Sequence, residues 1–212
     1  LVRSAEATDD SLSVDTRIDA WRSVTEVTVY TKDEPGLFSR LAGAMALCGA
    51  DIVDARIFTL TNGMALDSFW IQDSEGHAVD RPDKLAKLAV TIRRVLEERG
   101  DLLAELSRQR PAIPSRLSVF KVPPRVLIDN RASASHTVIE VNGRDRPGLL
   151  YDLTRALSEL RLQISSARIA TFGERAIDVF YVKDQFGLKI DNETRLKGIR
   201  EALNEALRDP AD

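Results

Sequence analysis

The stretch Asp33-Glu34-Pro35-Gly36-Leu37-Phe38 decides the fold, because it recurs as Asp145-Arg146-Pro147-Gly148-Leu149-Leu150. We call these two stretches the first and second elbow. In each, a β-branched run ends at the aspartate, and Pro-Gly then opens apolar residues at helical spacing. Proline suits the first helical position because its missing N–H would be unpaired there, and glycine lets the backbone approach a neighbour. Each elbow therefore predicts a strand-to-helix junction with free amides.

The rest of the chain repeats in step with the elbows. A shift of 112 residues carries Val27 onto Ile139 and Asp33 onto Asp145, and beyond the following turn the shift is 111, as from Phe69 to Phe180. The further pairs that match are Ile52 with Ile164, Arg56 with Arg168, Thr59 with Thr171, Asp67 with Asp178, Asp73 with Asp184 and Asp80 with Asp191. A match of this length indicates a duplicated fold.

Within the first copy, hydrophobic periodicity gives the order of the elements. Strands are predicted over 24–30, 51–59 and 64–71, the last two as a hairpin with a tight turn. A helix is predicted from Pro35 to about Leu47, and a second one begins after Asp80 as its N-cap. The residues Leu102, Leu103 and Leu106 are predicted to extend this second helix.

The order β-α-β-β-α predicts an α+β fold of two ferredoxin-like βαββαβ-type modules, with antiparallel sheets and both helices on one face. A short strand at 13–18, matched by 126–128, precedes the core of each module. We predict that it fills the sheet edge usually taken by a trailing strand. The predicted boundaries are a flexible segment 1–10, a first module 11–108, a linker 109–123 and a second module 124–212.

The hairpins predict ion pairs across the sheet. A two-residue loop at Thr61-Asn62 would set Arg56 opposite Asp67, and a three-residue loop at 172–174 would set Arg168 opposite Asp178. Such a pair contributes about 0.2–1 kcal/mol. A ligand-binding role for these side chains is the less favoured interpretation.

Composition excludes several classes of function. The net charge is −3 with acids and bases interspersed, so no basic surface for nucleic acid is expected. No apolar run approaches the roughly 20 residues that span a bilayer, so no membrane partner is expected. The single cysteine, Cys48, fits a reducing compartment and predicts a cytoplasmic location.

Two copies of this order with Asp-x-Pro-Gly-Leu at the first junction resemble a tandem of ACT domains, the small-molecule sensing modules of amino-acid metabolism. The strings at 25–30, 52–57, 65–70 and 124–130 resemble more closely the C-terminal ACT pair of the bacterial PII uridylyltransferase/uridylyl-removing family. The resemblance implies a parent that transfers UMP to the PII signalling protein and removes it again, with glutamine as the switch. This chain would then be the glutamine sensor, without a catalytic site.

The resemblance also assigns partners and cofactors. The nucleotidyltransferase and phosphohydrolase domains of the family have no counterpart here, so magnesium would belong to those domains, and no cofactor or metal is expected in this chain. ACT modules pair side by side, within or between chains, with ligand held between an elbow and a neighbouring strand. The facing residues would then include Ile52 or Ile164.

The elbows favour a zwitterionic ligand. A helix N-terminus suits a carboxylate, while Asp33 or Asp145 could take an ammonium group and would repel a phosphate. The alternative is that both aspartates only cap their helices. Glu34 in one elbow and Arg146 in the other make the two electrostatically unlike. The predicted ligand-binding residues are Asp33, Glu34, Gly36, Leu37, Ile52, Asp145, Arg146, Gly148, Leu149 and Ile164.

Two alternatives of other classes remain at this point. One is a dimerisation or docking module that binds no ligand. The other is the ACT tandem of a different amino-acid enzyme, such as a kinase of the aspartate pathway.

Overall fold

The computed structural model describes residues 12–98, 100–109, 123–146, 148–172 and 175–208. The chain divides into two compact units, Leu1–Leu102 and Leu103–Asp212, which we call the first and second module. The predicted N-terminal segment and nearly all of the predicted linker lie outside the described residues.

The first module is an antiparallel sheet with two helices. Its elements are β1 (Ser13–Asp19), β2 (Val24–Lys32), α1 (Leu37–Leu47), β3 (Asp51–Arg56), β4 (Met64–Gln72) and α2 (Pro82–Glu97). The strands pair in the order β1-β2-β4-β3. The leading strand β1 therefore occupies the sheet edge beside β2, as predicted.

The second module repeats this arrangement. Its elements are β5 (Arg125–Asp129), β6 (Thr137–Arg144), α4 (Leu149–Glu159), β7 (Gln163–Phe172), β8 (Arg175–Lys183) and α5 (Glu193–Ala206), and a further helix, α3 (Leu102–Gln109), begins where the two units meet in sequence. The strands pair in the order β5-β6-β8-β7. The predicted ferredoxin-like architecture is confirmed for each module.

Two helix boundaries differ from the prediction. Residue Glu98 adopts an extended conformation, so α2 ends there and α3 is a separate helix instead of an extension. The N-cap of α2 is Arg81 and that of α5 is Asn192, so the caps lie one residue beyond Asp80 and Asp191. The Asn192 side chain accepts a hydrogen bond from the Arg195 amide at 2.9 Å, which is the ordinary N-cap interaction.

The core of each module lies between the sheet and its helices. Alternate residues of β4 and β8 face the helices, and the rings of Phe69 and Phe180 are fully buried there. In the first module, Phe38 of α1 packs against Phe69 with ring centroids 5.4 Å apart. Because side chains alternate along a strand, Asp67 and Asp178 point to this same core-facing side.

A buried threonine joins the sheet to the loop before the last helix in both modules. The Thr25 hydroxyl donates to the Val79 carbonyl at 2.8 Å. Its counterpart Thr137 accepts from the Ile190 amide at 2.9 Å. The same position thus makes the same connection with the donor and acceptor roles exchanged.

The hairpin registers correct the predicted ion pairs. In the first hairpin Thr59 pairs with Ala65, and Arg56 lies opposite Ser68 instead of Asp67. The loop is therefore one residue longer than expected, comprising Thr61 to Gly63. A shift of one residue moves a side chain to the other face of the sheet. The exposed Arg56 guanidinium accordingly lies 5.4 Å from the centroid of the Trp70 ring, on the face away from the core.

In the second hairpin the loop is one residue shorter than predicted. Phe172 pairs with Arg175, which leaves two residues in the loop. Arg168 then lies opposite Val179, and Asp178 lies opposite Ile169. Neither of the predicted arginine–aspartate pairs forms, and both aspartates are left in the core.

Candidate functional site

Each elbow is a tight turn followed by a helix. In the first elbow the Leu37 amide donates to the Glu34 carbonyl at 3.0 Å, and Gly36 has φ 81° and ψ 7°. These values and this hydrogen bond define a type II turn, which places glycine in its third position. In the second elbow Leu149 donates to the Arg146 carbonyl at 3.0 Å, and Gly148 has φ 80° and ψ 5°.

The turn corrects two expectations about the elbow. The helix begins after the glycine, which is its N-cap, and Pro35 belongs to the turn instead of the first helical position. The amides of Leu37 and Leu149 close the turns, so they are not free for a ligand. The next amides, those of Phe38 and Leu150, are first-turn amides that lack an acceptor within the helix.

The left-handed conformation of Gly148 gives a stability prediction with a matched control. Gly148→Ala should destabilise the second module by about 1–2 kcal/mol, because a Cβ is unfavourable at this φ. Gly198 lies within α5 with open space where a Cβ would stand, so Gly198→Ala should stabilise it by about 0.5–1 kcal/mol. Urea unfolding of both variants measures the two changes, and equal effects would contradict the turn assignment.

The elbow aspartates do not cap the helices. Asp33 is exposed, and its Oδ2 accepts a hydrogen bond from the Thr59 hydroxyl at 2.7 Å, while its own amide donates to the Gly63 carbonyl at 3.1 Å. The helix after Asp145 likewise has no side-chain cap. Burial raises the pKa of Asp145, and the Arg146 amide and charge oppose that effect. The capping interpretation is therefore wrong for both.

A second, buried carboxylate in the first module interacts with the elbow aspartate. Asp67 on β4 is 1% exposed, and neither of its carboxylate oxygens has a hydrogen-bond partner of ordinary geometry in the part of the chain that the structure describes. Burial, the largest cause, raises the pKa of Asp67 to about 7; the Phe58 amide opposes this, and the negative charge of Asp33 adds to it. The two aspartates are therefore close enough to repel each other.

The second module has the same pair. Asp178 on β8 is 2% exposed, and its Oδ1 lacks a hydrogen-bond partner among the described residues. Burial raises the pKa of Asp178 to about 7, the charge of Asp145 adds to this, and the Ala170 amide opposes it. Sequence reasoning assigned both buried aspartates to exposed ion pairs, although the alternation Ala65, Asp67, Phe69 already places Asp67 on the apolar face.

The residue after each elbow aspartate belongs to an ion pair. In the first module the Arg40 guanidinium lies 3.7 Å from the Glu34 carboxylate. The same arginine donates to the carbonyls of Val95 and Leu96, at 2.6 and 2.7 Å, at the end of α2. A cation is favourable at the C-terminus of a helix, where the last carbonyls lack partners.

The second module exchanges the two charges. Arg146 takes the place of Glu34 and lies 2.6 Å from the carboxylate of Asp152, which takes the place of Arg40. Arg146 donates to the Ala206 carbonyl at 2.9 Å, at the end of α5. The two elbows do carry opposite charges at this position, as expected, and each is paired with a helix residue of the other sign, so that one arginine in each module contacts the end of the second helix.

The other predicted site residues lie on the sheets. Ile52 is buried on β3 opposite Ile71, and Ile164 is half-buried on β7 opposite Val182. Each lies just before an irregularity in its strand. Their predicted place opposite an elbow stays a prediction.

Comparison with known proteins shows which proteins the chain is similar to. A family model described as "ACR9-like, ACT-like domain" matches residues 125–211, which is the second module. The second module is thus similar to an ACT-like domain, and the first module has the same order of strands and helices. The chain is 62% identical over its whole length to a bifunctional uridylyltransferase/uridylyl-removing enzyme of Azospirillum brasilense, of which it covers 23%.

Two further relatives bear the same name. The enzyme of Rhodospirillum rubrum is 52% identical over 98% of the chain, which covers 22% of that enzyme. The enzyme of Gluconobacter oxydans is 54% identical over 88% of the chain, which covers 20% of it. The chain thus spans about a fifth of the length of the curated relatives that it matches.

The described residues include neither a metal-ligand cluster nor a membrane-spanning helix. They contain no group of three or more His, Cys, Asp or Glu that could hold a metal ion. In the same parts of the chain, no helix combines the length and the apolar character needed to cross a membrane.

Proposed function

We propose that this ACT-like tandem is an amino-acid sensor, and that glutamine is its ligand. The observation that carries the proposal is the same in both modules: a turn brings an aspartate next to the first turn of a helix, and this aspartate interacts with a buried carboxylate. Among the described residues, the Asp33 carboxylate accepts one neutral hydrogen bond, from Thr59, and forms no ion pair. It therefore keeps acceptor capacity for a cationic group.

The chemistry of the elbow favours a zwitterion over a nucleotide. The amides of Phe38 and Leu150 and the positive end of the helix suit a carboxylate. The aspartates suit an ammonium group and would repel the phosphates of UTP. A free amino acid carries both charges on one carbon, so it can use both features.

The relatives support a regulatory role for the sensor within its parent protein. We propose that the parent protein transfers uridylyl groups to PII and removes them, in the cytoplasm, with magnesium in its catalytic domains. Glutamine would favour one arrangement of the ACT-like modules, paired within or between chains, and so bias the catalytic domains between the two reactions. Such a switch requires different affinities of glutamine for the two arrangements.

Titration calorimetry with glutamine, glutamate and UTP tests the proposal. We expect saturable binding of glutamine, weaker binding of glutamate and none of UTP. Asp33→Asn with Asp145→Asn should weaken glutamine binding at least tenfold, since a charge-assisted hydrogen bond contributes about 1.5–3 kcal/mol. The control is Asp73→Asn with Asp184→Asn, which removes the same charge from a turn after β4 and after β8.

Two outcomes would contradict the sensor. Equal heat from all three compounds would show that binding is unselective. Heat from none of them, together with self-association that glutamine leaves unchanged in sedimentation velocity, would indicate a ligand-free docking module instead.

A further inference from the structure

We propose that the buried carboxylates of Asp67 and Asp178 complete the ammonium subsite, each acting from beneath the elbow aspartate of its own module. The inference rests on the proposed function, because it names the residues that recognise the amino group. It adds a residue on the fourth and eighth strands to a site so far built only from the elbows.

The first support is the absence of a counter-charge. A carboxylate that is 99% or 98% buried would ordinarily be paired or hydrogen-bonded, because an isolated buried charge is strongly unfavourable. Within the described residues, Asp67 and Asp178 form no ion pair, and three of their four oxygens accept no hydrogen bond of ordinary geometry. A proton, or a donor or cation from outside these residues, would satisfy these oxygens.

The second support is that the hairpin holds both carboxylates at one place. Thr59 donates to the Asp33 carboxylate, and the carbonyl of its neighbour Phe58 accepts at 2.8 Å from the amide of Leu66, the residue before Asp67. The exposed Asp33 is therefore the outer carboxylate, and Asp67 is the inner one. A cation bound to Asp33 would be attracted by the carboxylates of both Asp33 and Asp67.

The third support is repetition. Ala170, which takes the place of Phe58, presents its amide to Asp178, and Asp145 acts on Asp178 as Asp33 acts on Asp67. The elbow ion pairs exchange their charges between the modules, yet the inner and outer aspartates do not change. This arrangement indicates a requirement for two acids at this place, independent of the surrounding charges.

An ammonium group fits this pair better than a metal ion. A metal site normally needs three or more protein ligands, and no such group occurs among the described residues. An ammonium group has three N–H donors and one positive charge, so one carboxylate pair can satisfy it. A carboxylate or phosphate of the ligand would instead be repelled.

The test uses glutaramate (5-amino-5-oxopentanoate), which is glutamine without its amino group. The wild-type chain should bind glutamine at least tenfold more tightly than glutaramate. The variant Asp67→Asn/Asp178→Asn should lose part of this preference, because only the elbow aspartates then remain to bind the ammonium group, while its affinity for glutaramate is unchanged. The control variant Asp73→Asn/Asp184→Asn, changed six residues further along each copy, should keep the preference.

A second measurement needs no variant. Between pH 6 and pH 8, glutamine affinity of the wild type should rise about tenfold as carboxyls with a pKa of about 7 ionise, and glutaramate affinity should not rise. The charged groups that act on the inner aspartates are Asp33 and Asp145, and Arg146 acts on Asp145.

The outcomes separate the two proposals. If the wild type does not bind glutamine, the proposed function fails. If the wild type binds glutamine but the asparagine variant keeps its full preference for glutamine over glutaramate, or the affinity is flat from pH 6 to pH 8, only the inner subsite is wrong.

Discussion

Arg146→Glu should destabilise the second module by about 3–5 kcal/mol, the range found when a buried ion pair loses one partner. The Arg146 and Asp152 side chains are 11% and 10% exposed, so the variant would place two carboxylates together with little water around them. It would also remove the hydrogen bond from Arg146 to the Ala206 carbonyl at the end of α5.

Comparison of the two modules gives a rescue variant and a control variant for Arg146→Glu. Arg146→Glu/Asp152→Arg gives the second elbow the arrangement of the first, where Arg40 contacts the end of α2, and should recover most of the loss. Glu34→Arg should cost at most about 1 kcal/mol, because its partner lies 3.7 Å away and the pair is more exposed.

The two tryptophans allow the modules to be followed separately. Trp21 and Trp70 both lie in the first module, so tryptophan fluorescence reports its unfolding, while far-UV circular dichroism reports both modules. Arg146→Glu should move the circular-dichroism transition to lower urea more than the fluorescence transition. Equal stability of Arg146→Glu and the wild type, or a double variant no better than the single one, would contradict the exchanged ion pair.

Asp67→Asn should gain stability relative to the wild type as the pH rises from 4.5 to 8.5, by about 2–4 kcal/mol in total. In the folded chain the pKa of Asp67 is raised from 3.8 to about 7, so the folded state holds the proton more tightly than the unfolded state. Wild-type stability from this group is therefore full below about pH 4 and is lost as the pH rises through 7. Asparagine cannot ionise, so it avoids this loss.

A nearby aspartate should behave in the opposite way. Asp73 accepts hydrogen bonds from the amides of His77 and Glu75, and these lower its pKa. Its contribution to stability is present at neutral pH and is lost as the pH falls, so Asp73→Asn should lose stability relative to the wild type as the pH rises. Urea unfolding at several pH values measures both variants. A flat difference between Asp67→Asn and the wild type would show that Asp67 is already neutralised by a partner.

The repeat made the architecture predictable from the sequence. The shift of 112 residues gave the same order of elements in both copies and aligned residues 126–128 with the strand predicted at 13–18. The leading strand at the sheet edge could therefore be predicted from the sequence pattern alone. The glycines were also recognisable, although their role was misjudged: Gly36 has a positive φ because it is the third residue of a type II turn.

The pairing register of the two hairpins could not be predicted from the sequence. Hairpin loops of two and three residues are both common, and an error of one residue moves every side chain across the sheet. This error turned Asp67 and Asp178 into partners of surface arginines. The exchanged ion pair was visible in principle, since Glu34 and Arg40 become Arg146 and Asp152 at the same shift, but only the contact at 2.6 Å shows that these positions meet.

The buried aspartates connect stability to the proposed function. A carboxylate without a partner in the core is destabilising at neutral pH, and asparagine would be tolerated better there. Both modules nevertheless have aspartate at this position. A binding role for the charge explains why a residue that lowers folding stability is present, since functional residues often cost stability.

Calorimetry of glutamine binding at pH 7 in two buffers of different ionisation enthalpy tests the central claim most directly. With a pKa of about 7 each inner aspartate is about half protonated before binding, and the ammonium group requires it ionised, so about half a proton should be released per occupied site. Asp67→Asn/Asp178→Asn should release none. Glutamine binding with the same heat in both buffers would contradict the account.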